Sequence, residues 1–275
     1  MSRRQMTHAA QDAGLVPSPR NTLTTERLGE VLVVTLNRPE ARNAVNFELC
    51  HDLSETFASI DAEPPGAVLI GANGPTFCAG ADLKERRDKD AAWIRKRRLA
   101  SFAAYRAILR CRVPVIAYLQ GAVVGSGGEI ALSCDFAYAQ DNVSFRYPEV
   151  HWGTIGATQR LQRVVGMRKA KELLFTNSMV RSDEAVELGL VQKVLSAAEG
   201  WEFALQTAQT MAQAPTSAMQ LTKSAIDSGS EVSLDQGLDI ELRAIETNLA
   251  QSEWKQGLAD FEARNDENTT TEVRK

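Results

Sequence analysis

A strand, a glycine turn and the start of a helix follow one another over residues 114–132, and this order restricts the fold more than any other stretch. Pro114-Val115-Ile116-Ala117-Tyr118-Leu119 is a short apolar run, as expected of a buried strand. Residues 121–135 then read GAVVGSGGEIALSCD. Gly125-Ser126-Gly127-Gly128 supplies the turn, Glu129 follows at once, and Ile130-Ala131-Leu132 suits a buried helix. Such a junction leaves backbone N–H groups at the positive end of a helix, which favours negative or developing negative charge. An acid there either caps the helix or takes part in chemistry.

The same alternation runs along most of the chain. Residues 30–36 (EVLVVTL) and 66–71 (GAVLIG) are expected strands, and 136–139 and 144–147 are two more, joined by a turn at Asp141-Asn142. Asn43 is expected to cap a helix in which Val45, Leu49, Leu53 and Phe57 recur at helical spacing. A long helix is expected over 88–111. From Thr158 onward helical patterns dominate: 158–164, 168–176, 182–188, 199–212, 215–228, 233–249 and 253–265, with a brief strand at 189–191. Alternation followed by helices argues for an α/β fold with a helical C-terminal region. Residues 1–24 are polar and 266–275 are polar, so both are expected to be disordered tails.

Composition narrows the function classes. A chain of 275 residues buries a substantial core, and its net charge of −4 gives no support for nucleic-acid binding. The one basic run, Arg95-Lys96-Arg97-Arg98, lies in the long helix and is expected to be a solvated face. Cys50, Cys78, Cys111 and Cys134 have no metal-ligand spacing and are expected to be free thiols in a reducing compartment. His8, His51 and His151 are too scattered to argue for a metal site. No run of 18 apolar residues exists, and the first residues lack the apolar core of a secretory signal. The expected location is the cytoplasm.

Two loops of small residues, Ala79-Gly80-Ala81 and Gly125-Ser126-Gly127, each follow a strand. Small side chains let a ligand approach the backbone, and two N–H groups aimed at one carbonyl oxygen form an oxyanion hole. Two acids, Glu129 and Glu149, lie near these loops, and carboxylates in unlike environments divide into an acid and a base. Structural roles compete for each. Ser126-Gly127-Gly128-Glu129 fits a capping box, Asp82 fits a helix N-cap, and Glu149 after Pro148 fits a surface turn. The dinucleotide-binding, Walker and nucleophile-elbow glycine patterns are all absent.

Several motifs in order resemble the crotonase superfamily, the enoyl-CoA hydratase/isomerase family, over about residues 24 to 265. They are residues 36–44 (LNRPEARNA), 77–84 (FCAGADLK), 121–135, 158–161 (TQRL) and 187–191 (ELGLV). The resemblance implies a spiral of ββα units over 24–197, a helical trimerisation region over 198–265, trimers or hexamers, and acyl-CoA thioester substrates. It implies that the N–H groups of Ala81 and Ser126 receive the thioester oxygen, and that Ala79, Ala81, Asp82, Leu83, Lys84 and Ser126 border the CoA path with Arg42 beside them. It fills both acidic positions, Glu129 and Glu149, separated by 149 − 129 = 20. The implied reaction adds water across a 2-enoyl-CoA, Glu129 activating the water and Glu149 protonating C2, with no cofactor beyond the CoA of the substrate. The alternatives on the same scaffold are an isomerase using Glu149 alone, a hydratase-lyase, a hydrolase, or a non-catalytic acyl-CoA-binding protein. Two departures stand out: Ser126 replaces the commoner Gly, and the segment 153–158 is shorter than in typical hydratases. His151-Trp152 beside Glu149 fits either a bulky acyl pocket or simple packing.

Overall fold

The computed structural model describes residues 22–251, 254–255 and 257–259. The expected tail over 266–275 and all but Thr22, Leu23 and Thr24 of the expected N-terminal tail lie outside the described residues. The main sheet has six strands in the order β1-β2-β3-β4-β6-β9. They are β1 Leu23–Leu28, β2 Val31–Leu36, β3 Ala67–Ala72, β4 Val115–Leu119, β6 Phe136–Gln140 and β9 Lys193–Leu195. Only the β1–β2 pair is antiparallel. A second sheet orders β5 (Ala122–Val124), β7 (Ser144–Arg146) and β8 (Val180–Arg181).

Period-two alternation explains why the main sheet is buried on both faces. Val34, Val68, Ile70, Val115 and Ala117 face the larger core. Val31, Val33, Ala67, Leu69 and Ile116 face a smaller one, closed by Ala204 and Ala208. Those alanines lie on a helix over Gly200–Ala212. That helix sits close to the sheet because Gly200 has no side chain: a Cβ there would lie 2.3 Å from the Tyr118 hydroxyl.

The remaining helices are α1 Phe47–Ser59, α2 Ala91–Leu109, α3 Ser126–Ala131, α4 Thr158–Thr176 and α5 Ser182–Glu187. They are followed by α6 Gly200–Ala212, α7 Thr216–Gly229 and α8 Leu234–Gln251. Strand, strand, helix recurs as β4-β5-α3 and β6-β7-α4, the first strand in the large sheet and the second in the small one. Of the expected helix at 253–265, residues 254–255 and 257–259 are helical and the rest lies outside the described residues. Among the described residues no helix is long and apolar enough to cross a membrane.

Three local expectations are corrected. Leu23 is fully buried and begins β1, inside the stretch read as a tail, and Thr22 donates to the buried Asp52 carboxylate. The cap of α1 is Asn46, whose side chain accepts Leu49 N–H at 2.8 Å. Asn43 instead ties two loops together, donating to Asn73 O and Thr76 O at 2.8 Å each. The late strand lies at Lys193–Leu195, not 189–191, because Gly189 takes a left-handed φ of 73° that closes α5.

Candidate active site

The first small-residue loop is held from both sides. Val45 N–H donates to Gly80 O at 2.8 Å and Asp82 N–H donates to Val45 O at 2.8 Å. Behind Val45 stands Arg97, 1% exposed, which donates to Val45 O and to Glu85 Oε1 at 2.7 Å. Glu85 in turn accepts Phe47 N–H at 2.8 Å. A buried guanidinium thus stitches the loop to the start of α1. This corrects the expectation of a solvated face at Arg97, while Arg95 and Lys96 are exposed as expected and Arg98 is half-buried. Four-residue periodicity from Arg97 through Ser101 to Tyr105, all buried, puts this arginine on the inner side of α2.

The two loops lie side by side. Cys78 and Val123 form a parallel bridge, with Val124 N–H donating to Cys78 O at 2.9 Å. Gly80 takes a φ of 98° and approaches so closely that a Cβ there would stand 3.2 Å from Val124 O. Gly127 is equally confined, since its Cβ would lie 2.6 Å from Cys78 O. The N–H groups of Ala81 and Ser126 have no acceptor among the described residues. Both residues line one cavity of about 630 Å³, and so do Arg42, Ala79, Asp82, Leu83, Lys84 and Glu149.

Not every expected residue is free to act. Asp82 Oδ1 accepts Lys84 N–H at 3.0 Å, and Oδ2 accepts from Arg38 at 3.1 Å. Its carboxylate is therefore engaged by a local turn and an ion pair, and it is not the expected helix N-cap: Leu83 holds that position before the turn Lys84–Arg86. Arg42, Leu83 and Lys84 are exposed at the cavity rim. The Ser126 side chain faces Tyr105, whose phenol burial pushes up and a Ser126 hydrogen bond opposes. The Cys78 thiol beneath the loop is pushed up to about 12 by burial and stays protonated.

The two acids sit in unlike surroundings. Glu129 opens α3, is buried, and has a donor on each oxygen: Ala157 N–H at 2.6 Å on Oε1 and the Arg160 guanidinium at 2.5 Å on Oε2. Arg160 is itself stacked, 5.0 Å from the Tyr105 ring and 6.0 Å from the Phe102 ring. Glu149 is also buried, and its Oε2 has no partner among the described residues. Burial raises its carboxyl above the usual range, and the nearby Glu129 charge adds to this.

The shortened segment reaches both acids. A Cβ on Gly156 would lie 2.9 Å from Glu149 Cγ, while the next residue, Ala157, bonds Glu129. Gly125 mirrors this on the opposite side: its carbonyl accepts Glu129 N–H at 2.9 Å, and its Cβ would lie 2.7 Å from Glu149 Oε1. Glu129 does not line the large cavity. Arg160 and Ala157 are contacts to which the sequence reading gave no role, although Arg160 stands inside a motif it quoted. The Tyr147 hydroxyl, buried beside Gly128, also lacks a partner among the described residues. Trp152 is 67% exposed at the cavity wall and is not packed, while His151 Nε2 lies 2.9 Å from Phe175 O. All four cysteines are free. Among the described residues no three His, Cys, Asp or Glu side chains are grouped to hold a metal ion.

Comparison with known proteins places this geometry among relatives. The family model described as enoyl-CoA hydratase/isomerase matches residues 26–270. A short-chain-enoyl-CoA hydratase of Clostridium acetobutylicum is 35% identical over 246 residues, covering 88% of this chain and 94% of that protein. An enoyl-CoA isomerase/hydratase of Mycosarcoma maydis is 33% identical over 254 residues, covering 88% and 93%. The crystal structure of an enoyl-CoA hydratase from Bacillus anthracis superposes with a TM-score of 0.86 at 30% identity, covering 88% of this chain and 96% of that one.

Proposed function

The chain belongs to the enoyl-CoA hydratase/isomerase family, and from that footing we propose that it adds water across the 2,3 double bond of a 2-enoyl-CoA. The observation that carries the reading is the contrast between its two acids. A carboxylate held by a guanidinium and an amide suits the group that orients and deprotonates water. A desolvated carboxyl with a raised pKa suits the group that delivers a proton.

The thioester oxygen accepts the N–H groups of Ala81 and Ser126. Glu129 takes a proton from water as its oxygen bonds C3, charge builds on the thioester oxygen, and Glu149 gives its proton to C2. Loss of one oxyanion donor costs about 10²–10³ in rate in comparable sites. The unpaired Tyr147 hydroxyl and Glu149 Oε2 are further groups that a bound water would satisfy. Ala79, Asp82, Leu83, Lys84 and Arg42 border the path of the CoA, which is part of the substrate; the reaction needs no metal or redox cofactor. Loss of the enoyl-thioester absorbance of crotonyl-CoA tests this reading.

One observation favours a second reading. Both oxygens of Glu129 already hold donors, which fits an isomerase in which Glu149 alone moves a proton. Conversion of a 3-enoyl-CoA without hydration of the 2-enoyl-CoA would select it.

The same reading covers assembly. The α7–α8 hairpin buries none of its residues and leaves Ile226, Leu234, Leu238, Leu242, Ile245 and Leu249 exposed. A face of that size needs a cover, and two further copies of this chain supply it in a trimer, with residues 198–265 as the trimerisation region.

A further inference from the structure

The cavity carries more positive charge on its Glu149 side than an uncharged acyl chain needs. Arg86 and Arg98 both line it, and among the described residues neither is paired with a carboxylate. Arg98 donates to Thr154 Oγ1, and Thr154 N–H donates to Glu149 O at 2.8 Å, which fixes the guanidinium beside the proposed proton donor. Arg86 ends the turn Lys84–Arg86, and its Nε is buried with no acceptor among the described residues. Burial, then the charges of Arg97 and Arg98, lower its pKa, and the nearby Glu85 charge, which is already engaged by Arg97, opposes this only in part. Arg42 is placed elsewhere, its carbonyl accepting Ala79 N–H at the start of the first loop.

A buried donor without an acceptor is costly, and guanidinia that hold no carboxylate offer forked, planar donors that match one. We propose that Arg86 and Arg98 form a carboxylate subsite at the acyl end of the cavity, so that the preferred substrate is a 2-enoyl-CoA whose acyl chain ends in a free carboxylate. The direction of the acyl chain rests on the hydratase reading, in which Glu149 stands at C2.

Calorimetric binding of two saturated acyl-CoAs to the full chain tests the subsite without turnover. Glutaryl-CoA and valeryl-CoA share a five-carbon chain and differ in the terminal carboxylate. The wild type binds glutaryl-CoA about tenfold or more tightly. Arg98→Gln and Arg86→Gln each lower glutaryl-CoA affinity by about tenfold and valeryl-CoA affinity by less than threefold, and Arg98→Lys keeps part of the preference. Equal affinities in the wild type would overturn the proposal. So would Gln variants that weaken both ligands alike, the result expected if these arginines hold the CoA phosphates. A preference for glutaryl-CoA without hydration of any enoyl-CoA would keep the subsite and sink the hydratase reading.

Discussion

The Arg160 guanidinium meets Glu129 Oε2 at 2.5 Å, both side chains almost wholly shielded from water. The pair joins the first turn of α3 to the first turn of α4, and the rings of Tyr105 and Phe102 support the arginine. It fixes the carboxylate in place and supplies its counter-charge.

Removing one member of such a pair leaves an unpaired buried charge, which typically costs about 3–5 kcal/mol. Arg160→Met is expected to lose about 3 kcal/mol of unfolding free energy by urea denaturation. Combining it with Glu129→Gln should restore most of that loss, since no charge is then stranded. Equal losses in the single and double variants would show that the arginine acts through packing alone.

Gly156 tests the fit of the shortened segment. In Gly156→Ala the new methyl meets Glu149 Cγ at 2.9 Å and Oε1 at 3.0 Å. Displacing the acid should lower kcat by about 10²-fold. Gly153→Ala is the control. Its φ of 65° costs about 1 kcal/mol of strain, but a Cβ meets nothing within 4 Å, so kcat should hold.

Glu149 sets a pH dependence of definite sign. Its folded-state pKa lies above the usual 4.5 because burial penalises the charge. Between 4.5 and that raised value the folded state binds more protons than the unfolded one, so stability falls as pH rises through this interval. Glu149→Gln should therefore melt at the same temperature as the wild type below pH 4.5 and higher above the interval. Wild-type kcat should fall on the alkaline side as Glu149 loses its proton. A melting difference that does not change with pH would contradict both.

The α7–α8 hairpin predicts assembly. Leu238→Asp places a charge on its exposed apolar face; if the proposed trimer forms, the variant should be monomeric in light scattering where the wild type has three times that mass. An unchanged mass would place the interface elsewhere.

Much of the fold was legible because β2, β3, β4 and β6 are compact apolar runs whose burial needs no distant partner to be guessed. β1 was not legible: LTTERL buries only Leu23 completely, and its pairing is with β2 at the sheet edge. β5 and β8 have three and two residues, too few to show a period. The acids and both loops could be named from their glycine context. Their convergence could not, since it depends on the Cys78–Val123 bridge, and a register is a long-range property. Arg97 and Arg160 were hidden because a basic residue on a helix is usually solvated, and only tertiary packing turns these two inward.

The division of labour between the acids is tested most directly by crotonyl-CoA hydration, followed by loss of enoyl absorbance, in Glu129→Gln and Glu149→Gln. Each variant should keep the wild-type fold by circular dichroism and lose about 10²–10⁴ in kcat. Full activity in either would contradict the account.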